Sequence, residues 1–320
     1  MNELNALIAQ TIQSIDWQKK PENLYQPVEY ILSQGGKRIR PHLCLMACRM
    51  FDGNIQEAIV PAVAFEMLHN FTLIHDDIMD KADLRRGKET IYKKWNTNIA
   101  ILSGDTLFAK AFEYMLSYQG EGKDELLKLL TKTSVEICEG QQYDLDFEQM
   151  ENVSVQQYLE MIRLKTSVML AACLQAGAIV ANANTTHQEM IYQFGIKIGL
   201  AFQIQDDFLD VYADVEKFGK QVGGDIAENK KTYMLLQLIN IIDNQDKQTL
   251  YYYMNHNLEK QDKYQKVKAL YDKYKIGDMA KQVINTYFEE AMDLLKQINI
   301  AEANKQELLV FANKLMNRDY

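Results

Sequence analysis

The sequence predicts an all-α fold, and three observations carry that prediction. All four prolines, Pro21, Pro27, Pro41 and Pro61, lie in the first 61 residues, so the rest of the chain meets no proline break. Segments such as "DELLKLLTKTSVEICEGQQYDL" and "VQQYLEMIRLKTSVMLAACL" space their apolar residues at three and four, the period of one helix face. No stretch sustains the alternation of a half-buried strand, and no Asn-Gly hairpin signal appears.

The helices are bounded by breaks at "SQGGKR", "FDGN", "DLRRGKET", "YQGEGKDE", "ANANTTH", "FGKQVGGDIAENK" and "NIIDNQDKQ", which read as loops rich in Gly, Asn and Asp. None is a Pro/Ser-rich linker, so the 320 residues read as one large helical domain, 1–320, with helices wrapped around a buried centre. A hydrophobic content of 47% is enough for a sizeable core. The uncharged run at 167–183, "SVMLAACLQAGAIVANA", carries Gln175 and Asn182 among small residues, and reads as a buried helix rather than a membrane span. The lysine-, glutamine- and tyrosine-rich final third reads as solvated amphipathic helices with tyrosines as half-buried anchors.

A net charge of −9 with no long basic run argues against nucleic acid as a partner. Cys44, Cys48, Cys138 and Cys173 show no CxxC spacing and read as reduced thiols, which fits a cytoplasmic setting. The start, "MNELNALIAQTIQSIDW", has no basic head and no unbroken apolar stretch, so no signal peptide is expected.

Chemistry concentrates in "LIHDDIMD", where Asp76, Asp77 and Asp80 close a nearly uncharged run. On a helix Asp76 and Asp80 share a face. At roughly 6 Å and an effective dielectric of 20 their repulsion costs about 3 kcal/mol, so a cation should offset it. "FQIQDDFLD" repeats the pattern with Asp206, Asp207 and Asp210, again after an apolar run. If the two helices face each other, the carboxylates converge on one cavity. Oxygen ligands without Cys or paired His favour Mg²⁺, which takes one or two carboxylates and completes its shell with water and substrate phosphate. Asp76, Asp80 and Asp206 are the expected ligands, with Asp77, Asp207 and Asp210 behind them or bridged by water.

Cations accompany both clusters. "GGKRIRP" offers Lys37, Arg38 and Arg40 at a helix start, and "DLRRGK" offers Arg85 and Arg86, adjacent residues able to serve two phosphates. Lys165 and Thr166 lie inside an apolar helical pattern, and Lys220 and Lys230 follow the second cluster. His69, two turns before Asp76, shares its face and points to ligand contact, whereas His75 reads as structural. Helical side chains lean toward the N-terminus, so Leu68, Phe71 and Thr72 should line the path of an apolar ligand leading away from Asp76, and a bulky Phe71 would close it early.

These motifs resemble the trans-isoprenyl diphosphate synthase family, through "GGKRIRP", "EMLHNFTLIHDDIMD", "DLRRGK", "AILSGDTLFAKAF", "EGQQYDL", "YLEMIRLKT", "GLAFQIQDDFLDVYAD" and "GGDIAENKK" in order. The resemblance implies an isoprenoid synthase fold with a deep central cavity, a homodimer, and Mg²⁺, three ions with substrate bound. It implies Lys37, Arg40, His69 and Arg86 on isopentenyl diphosphate. Arg85, Lys165, Thr166, Gln203, Lys220 and Lys230 would hold the allylic diphosphate, Lys165, Thr166 and Gln203 being the catalytic residues, with Thr166 and Gln203 near the developing carbocation. An aromatic at position 71 with the short aspartate spacing implies a C15–C20 product, leaning to C20. The family more often has Pro where Glu89 stands and His where Tyr92 stands, so the loop shape there departs from the pattern.

Three rival readings are weaker. A His-Asp phosphohydrolase could use His75-Asp76, but His42, His187 and His256 sit in no matching motif. A di-iron bundle needs two Glu-x-x-His pairs and only Glu66–His69 is present. A non-catalytic subunit of a heteromeric synthase would be expected to lose an aspartate cluster, and both are intact.

Overall fold

A computed structural model of the chain describes residues 2–213, 222–256 and 258–316. Sixteen α-helices span α1 (Asn2–Ser14), α2 (Glu22–Ser33), α3 (Ile39–Met50), α4 (Ile55–Met79), α5 (Ile91–Lys94), α6 (Thr97–Leu116), α7 (Lys123–Gln149), α8 (Val155–Ile162), α9 (Val168–Val180) and α10 (Thr185–Tyr212), followed by α11 (Gly224–Ala227), α12 (Tyr233–Ile241), α13 (Asn244–Asn255), α14 (Lys260–Lys273), α15 (Ile276–Gln297) and α16 (Glu302–Met316) among the described residues. The all-α expectation holds. The exceptions are a π-helical turn at Arg163–Ser167 and a ribbon of two-residue strands, β1 (Leu84–Arg85) and β2 (Lys88–Glu89).

That ribbon falls in "DLRRGKET", which the sequence reads as a plain loop. Arg86 and Gly87, at its tip, have φ of 54° and 75°. Positive φ at both central residues is the hairpin turn whose twist matches paired strands. The usual Asn-Gly signature is missing because an arginine occupies the first left-handed position.

Several helix starts follow sequence chemistry. The Asn54 side chain accepts from the N–H of Gln56 at 3.0 Å to open α4, and that of Asn96 accepts from Ile99 at 2.9 Å to open α6. Ser154 and Gln157 cap each other reciprocally at α8.

The contacts group into two compact units. One comprises Met1–Ser134, Ala172–Tyr192 and Ile300–Leu308, the other Val135–Ala171, Gln193–Asn299 and Leu309–Tyr320. In the first, α4 packs most extensively on α6 and then on α3. Its core includes Ile8, Ile31, Leu45, Met46, Phe65 and Leu68, all essentially buried. Each such side chain contributes about 1.5–3 kcal/mol by leaving water. In the second, Phe194, Ile198, Ile204, Leu238, Tyr271 and Ile276 form the core. Tyr264 and Tyr271 are buried there, whereas Tyr251 and Tyr252 are exposed, so the tyrosines of the final third divide between core and surface.

Two stretches, Ile55–Met79 and Val155–Val180, are long and apolar enough to cross a membrane, but 67% and 78% of an apolar 18-residue window in each is buried. The uncharged run at 167–183 supplies α9 and its side chains are mostly buried, as expected of a core helix. Cys44, Cys48 and Cys173 are buried free thiols and Cys138 is an exposed one.

Candidate active site

In the first unit, the aspartates stand at the C-terminal end of α4, with Asp76 and Asp77 in its last turn and Asp80 as its C-cap. A helix C-terminus carries the negative end of the macrodipole, so carboxylates there are disfavoured and a cation nearby is favoured. Asp76 is half-buried and Asp80 is exposed, whereas Asp77 is only 2% exposed. Asp77 accepts from Arg85 Nε at 2.6 Å. Burial raises its pKa and Arg85 opposes the rise. The middle aspartate therefore holds an arginine.

Arg86, adjacent in sequence, turns elsewhere. Its Nη1 donates to the carbonyl of Gly35, in the loop before α3. Gly36 has φ of +133°, a backbone conformation that favours glycine, and the Arg86 guanidinium lies where a Cβ would stand, at 2.7 Å. The adjacent arginines are thus anchored to two different elements.

Arg40 and His69 meet, with Nη1 3.0 Å from Nε2. Burial first, and then Arg40, Arg86, Arg85 and Arg38, push the His69 pKa well down, so the ring is neutral and its Nε2 accepts from the guanidinium. Burial likewise lowers the pKa of Arg40. Lys37 is exposed on the Gly-rich loop.

Arg38 behaves differently from its neighbours. It sits in the left-handed region with φ of 46°, pairs with buried Glu66 and donates to the carbonyl of Leu32. Asn70 completes the network, donating to Glu66 Oε1 at 3.1 Å. Glu66 and Asn70 carry no signal in the sequence beyond being polar residues in an apolar run.

Above the aspartates on α4, Leu68 is fully buried, while Phe71 and Thr72 are half-buried. The Phe71 ring lies 5.0 Å from that of Phe108 and 4.7 Å from His75, and Phe108 lies 5.1 Å from Phe112. Thr72 Oγ1 donates to the carbonyl of His69. His75 Nε2 lies 3.7 Å from Asp105 Oδ1.

In the second unit, Asp206, Asp207 and Asp210 lie in the last two turns of α10, with Asp210 in the final turn at the negative end of the helix. Asp206 and Asp210 are half-buried and Asp207 is 5% exposed. Burial drives the Asp207 pKa up to about 8, against the opposing hydrogen bond from Tyr158. Asp210 accepts from the backbone N–H of Asp225 at 3.0 Å. Burial first, and then Asp210, raise Asp225 to about 6.

Lys165 and Thr166 lie in the π turn, whose closing bond runs from the Val168 N–H to the Arg163 carbonyl. Lys165 Nζ donates to Asp144 at 2.6 Å, and Thr166 Oγ1 donates to Gln203 Oε1 at 3.4 Å. The turn is wide enough to press on α7, where a Cβ on Gly140 would lie 2.4 Å from the Lys165 backbone nitrogen. Asp144 lies in "EGQQYDL" without a role read from the sequence, because its partner is 21 residues away. Lys230 is exposed, 3.7 Å from Asp225 and 3.2 Å from Glu228. Lys220 lies outside the described residues.

No three of the described His, Cys, Asp and Glu residues gather closely enough to hold a metal ion by themselves. Asp76 and Asp80 in the first unit, and Asp206 and Asp210 in the second, offer carboxylate oxygens, a donor chemistry that suits Mg²⁺, whose octahedron is completed by water and phosphate.

Residues 21–273 match the profile of the family described as Polyprenyl synthetase. The chain is 43% identical to the short chain isoprenyl diphosphate synthase of Methanocaldococcus jannaschii over 232 residues, 72% of this chain and 71% of that one. It superposes on a crystal structure of a geranylgeranyl pyrophosphate synthase with a TM-score of 0.94 and 41% identity, covering 100% of this chain and 99% of the other. A polyprenyl synthase from Caulobacter crescentus, complexed with calcium and isoprenyl diphosphate, matches with a TM-score of 0.84 and 28% identity over 100% and 95% of the two chains.

Proposed function

The chain belongs to the polyprenyl synthetase family, and on that premise we propose that it is a short-chain trans-isoprenyl diphosphate synthase. It would condense isopentenyl diphosphate head to tail with dimethylallyl, geranyl or farnesyl diphosphate, giving a C15–C20 product with C20 favoured. The observation that carries this reading is the repeated Asp-Asp-x-x-Asp near the ends of α4 and α10, with Arg85 on Asp77 in the first and, in the second, Lys230 3.7 Å from the Asp225 whose N–H donates to Asp210.

Lys37, Arg40, His69 and Arg86 would bind isopentenyl diphosphate. Arg85, Lys165, Thr166, Gln203, Lys220 and Lys230 would bind the allylic diphosphate. Asp76, Asp80 and Asp206 would hold Mg²⁺, three ions in the loaded enzyme, with Asp210 contributing through water. Bound Mg²⁺ supplies charge neutralisation of the departing diphosphate. The protein's own cations favour the same charge, Lys165 through an ammonium oriented by Asp144. The double bond of isopentenyl diphosphate attacks the resulting allylic carbocation. Thr166 and Gln203, bonded to each other at 3.4 Å, would set hydroxyl and amide oxygens beside it, and apolar walls would exclude water. The released diphosphate takes the proton, since no side-chain base is assigned.

Product length would be set where Phe71 leans on Phe108. Purified protein incubated with Mg²⁺, isopentenyl diphosphate and each allylic primer should yield a C15–C20 diphosphate by chromatography. Phe71→Ala should lengthen it by at least one C5 unit. An unchanged length would remove Phe71 as the floor, and no product with any primer would sink the synthase reading.

We take residues 1–320 to be one synthase domain that works as a homodimer in the cytoplasm. The dimer is supported by Ile101, Leu102 and Leu116, 40%, 57% and 52% exposed on one side of α6, apolar surface of the kind a partner covers. Sedimentation equilibrium should give twice the chain mass, and Leu102→Glu should lower it. The buried free thiols suit a reducing compartment.

A further inference from the structure

One buried polar cluster in the second unit remains without a role. Asp207 lies about 100° around α10 from Asp206, so it cannot share the face that Asp206 and Asp210 present. Its carboxylate turns inward, and two donors reach the same oxygen, Oδ2. One is the phenol O–H of Tyr158, and the other is the backbone N–H of Tyr233 at 3.1 Å. Tyr158 is 3% exposed and belongs to α8, two turns ahead of Lys165 in the π turn that follows. Tyr233 opens α12, where a first-turn N–H has no acceptor within the helix.

A single carboxylate oxygen therefore joins the helix that carries the second aspartate cluster, the helix that leads into Lys165 and Thr166, and the helix after the Lys230 segment. Two further contacts join α10 to the π turn, the 3.4 Å bond from Thr166 Oγ1 to Gln203 Oε1 and a steric one. A Cβ on Gly199 would lie 2.6 Å from the Ser167 side chain. The steric contact fixes how near the two elements come, and the Thr166–Gln203 bond, at 3.4 Å, restrains the turn of α10 only weakly. The two donors that converge on Asp207 Oδ2 restrain it more.

We propose that Tyr158 is a positioning residue for the second aspartate cluster: by donating to Asp207 it locks the rotation of α10, and so holds Asp206 and Asp210 in register with Lys165 and Thr166. Asp207 then serves as the peg that receives this bond and not as a metal ligand. The proposal rests on the reading of this cluster as a metal–diphosphate site.

The test is calorimetric titration of the full-length protein with Mg²⁺ in the presence of pyrophosphate, with thermal unfolding measured alongside. Tyr158→Phe removes one oxygen and is expected to weaken Mg²⁺ binding about tenfold, the scale on which groups behind a metal ligand act. KM for the allylic diphosphate should rise with it, while KM for isopentenyl diphosphate stays unchanged. A residue that only supports the fold would lower the unfolding temperature and leave the titration as it was, which would overturn the proposal. In an Asp207→Leu background, Tyr158→Phe should cost nothing more, because the bond is already gone. A further loss there would also overturn it. Asp206→Asn separates the two layers of argument. If it weakens the titration and Tyr158→Phe does not, positioning by Tyr158 fails alone. If neither variant changes it, the metal reading of the cluster fails.

Discussion

Asp80→Asn is expected to lower turnover by about 10²–10³-fold while leaving the protein as stable as before or slightly more so. The loss follows from removing a charge aimed at the site where the diphosphate leaves. The stability side follows from position. Asp80 is the exposed C-cap of α4, at the negative end of the helix, and its charge is one of those that push up the pKa of Asp77. Neutralising it removes both repulsions, worth about 0.3–1 kcal/mol at such an end. Steady-state kinetics and a thermal melt on the same preparation check the pair of outcomes. A variant that is active but less stable would mean that Asp80 serves the helix and not the reaction.

Glu66→Gln should be among the most destabilising single changes in the first unit. The substitution preserves shape but leaves the Arg38 guanidinium, 9% exposed, without its counter-charge. Breaking a buried ion pair from one side costs about 3–5 kcal/mol, because the remaining charge stays desolvated. The Asn70 amide loses a charged acceptor at the same time. Denaturant unfolding would show the change in midpoint. Arg38 also ends the Gly-rich loop that carries Lys37 and precedes Arg40, so KM for isopentenyl diphosphate should rise as well. A shift under 1 kcal/mol would show that the pair does not anchor this loop.

Much of this was legible in the sequence, and the parts that were not share a physical cause. Helical content was legible because prolines stop at Pro61 and apolar residues keep a three-to-four spacing afterwards. The aspartate clusters were legible because the same unusual pattern ends two apolar runs. Helical angles even separate Asp77 from Asp76 and Asp80. What angles do not tell is which residue waits behind a side chain. Arg85 behind Asp77 and Tyr158 behind Asp207 are 8 and 49 positions away. Arg38 looks like its neighbours Lys37 and Arg40 until Glu66, 28 residues on, is seen to claim it. The ribbon at Leu84–Glu89 was missed because its turn is made by Arg86, a residue that visits left-handed backbone only under constraint.

The π turn at Arg163–Ser167 has a consequence for how this chain can change over time. Such a turn is an α-helix carrying one residue too many, and it survives here because α7 offers a bare glycine at position 140 to receive the bulge. Deleting any one of its five residues would restore regular winding and let the helix form more easily. Every side chain on one flank would then rotate by about 100°, taking the Lys165 ammonium away from its carboxylate partner. The segment is therefore tuned in length more than in composition. Substitutions that spare Lys165 and Thr166 can drift there, but a codon gained or lost would give a well-folded protein with its chemistry turned aside.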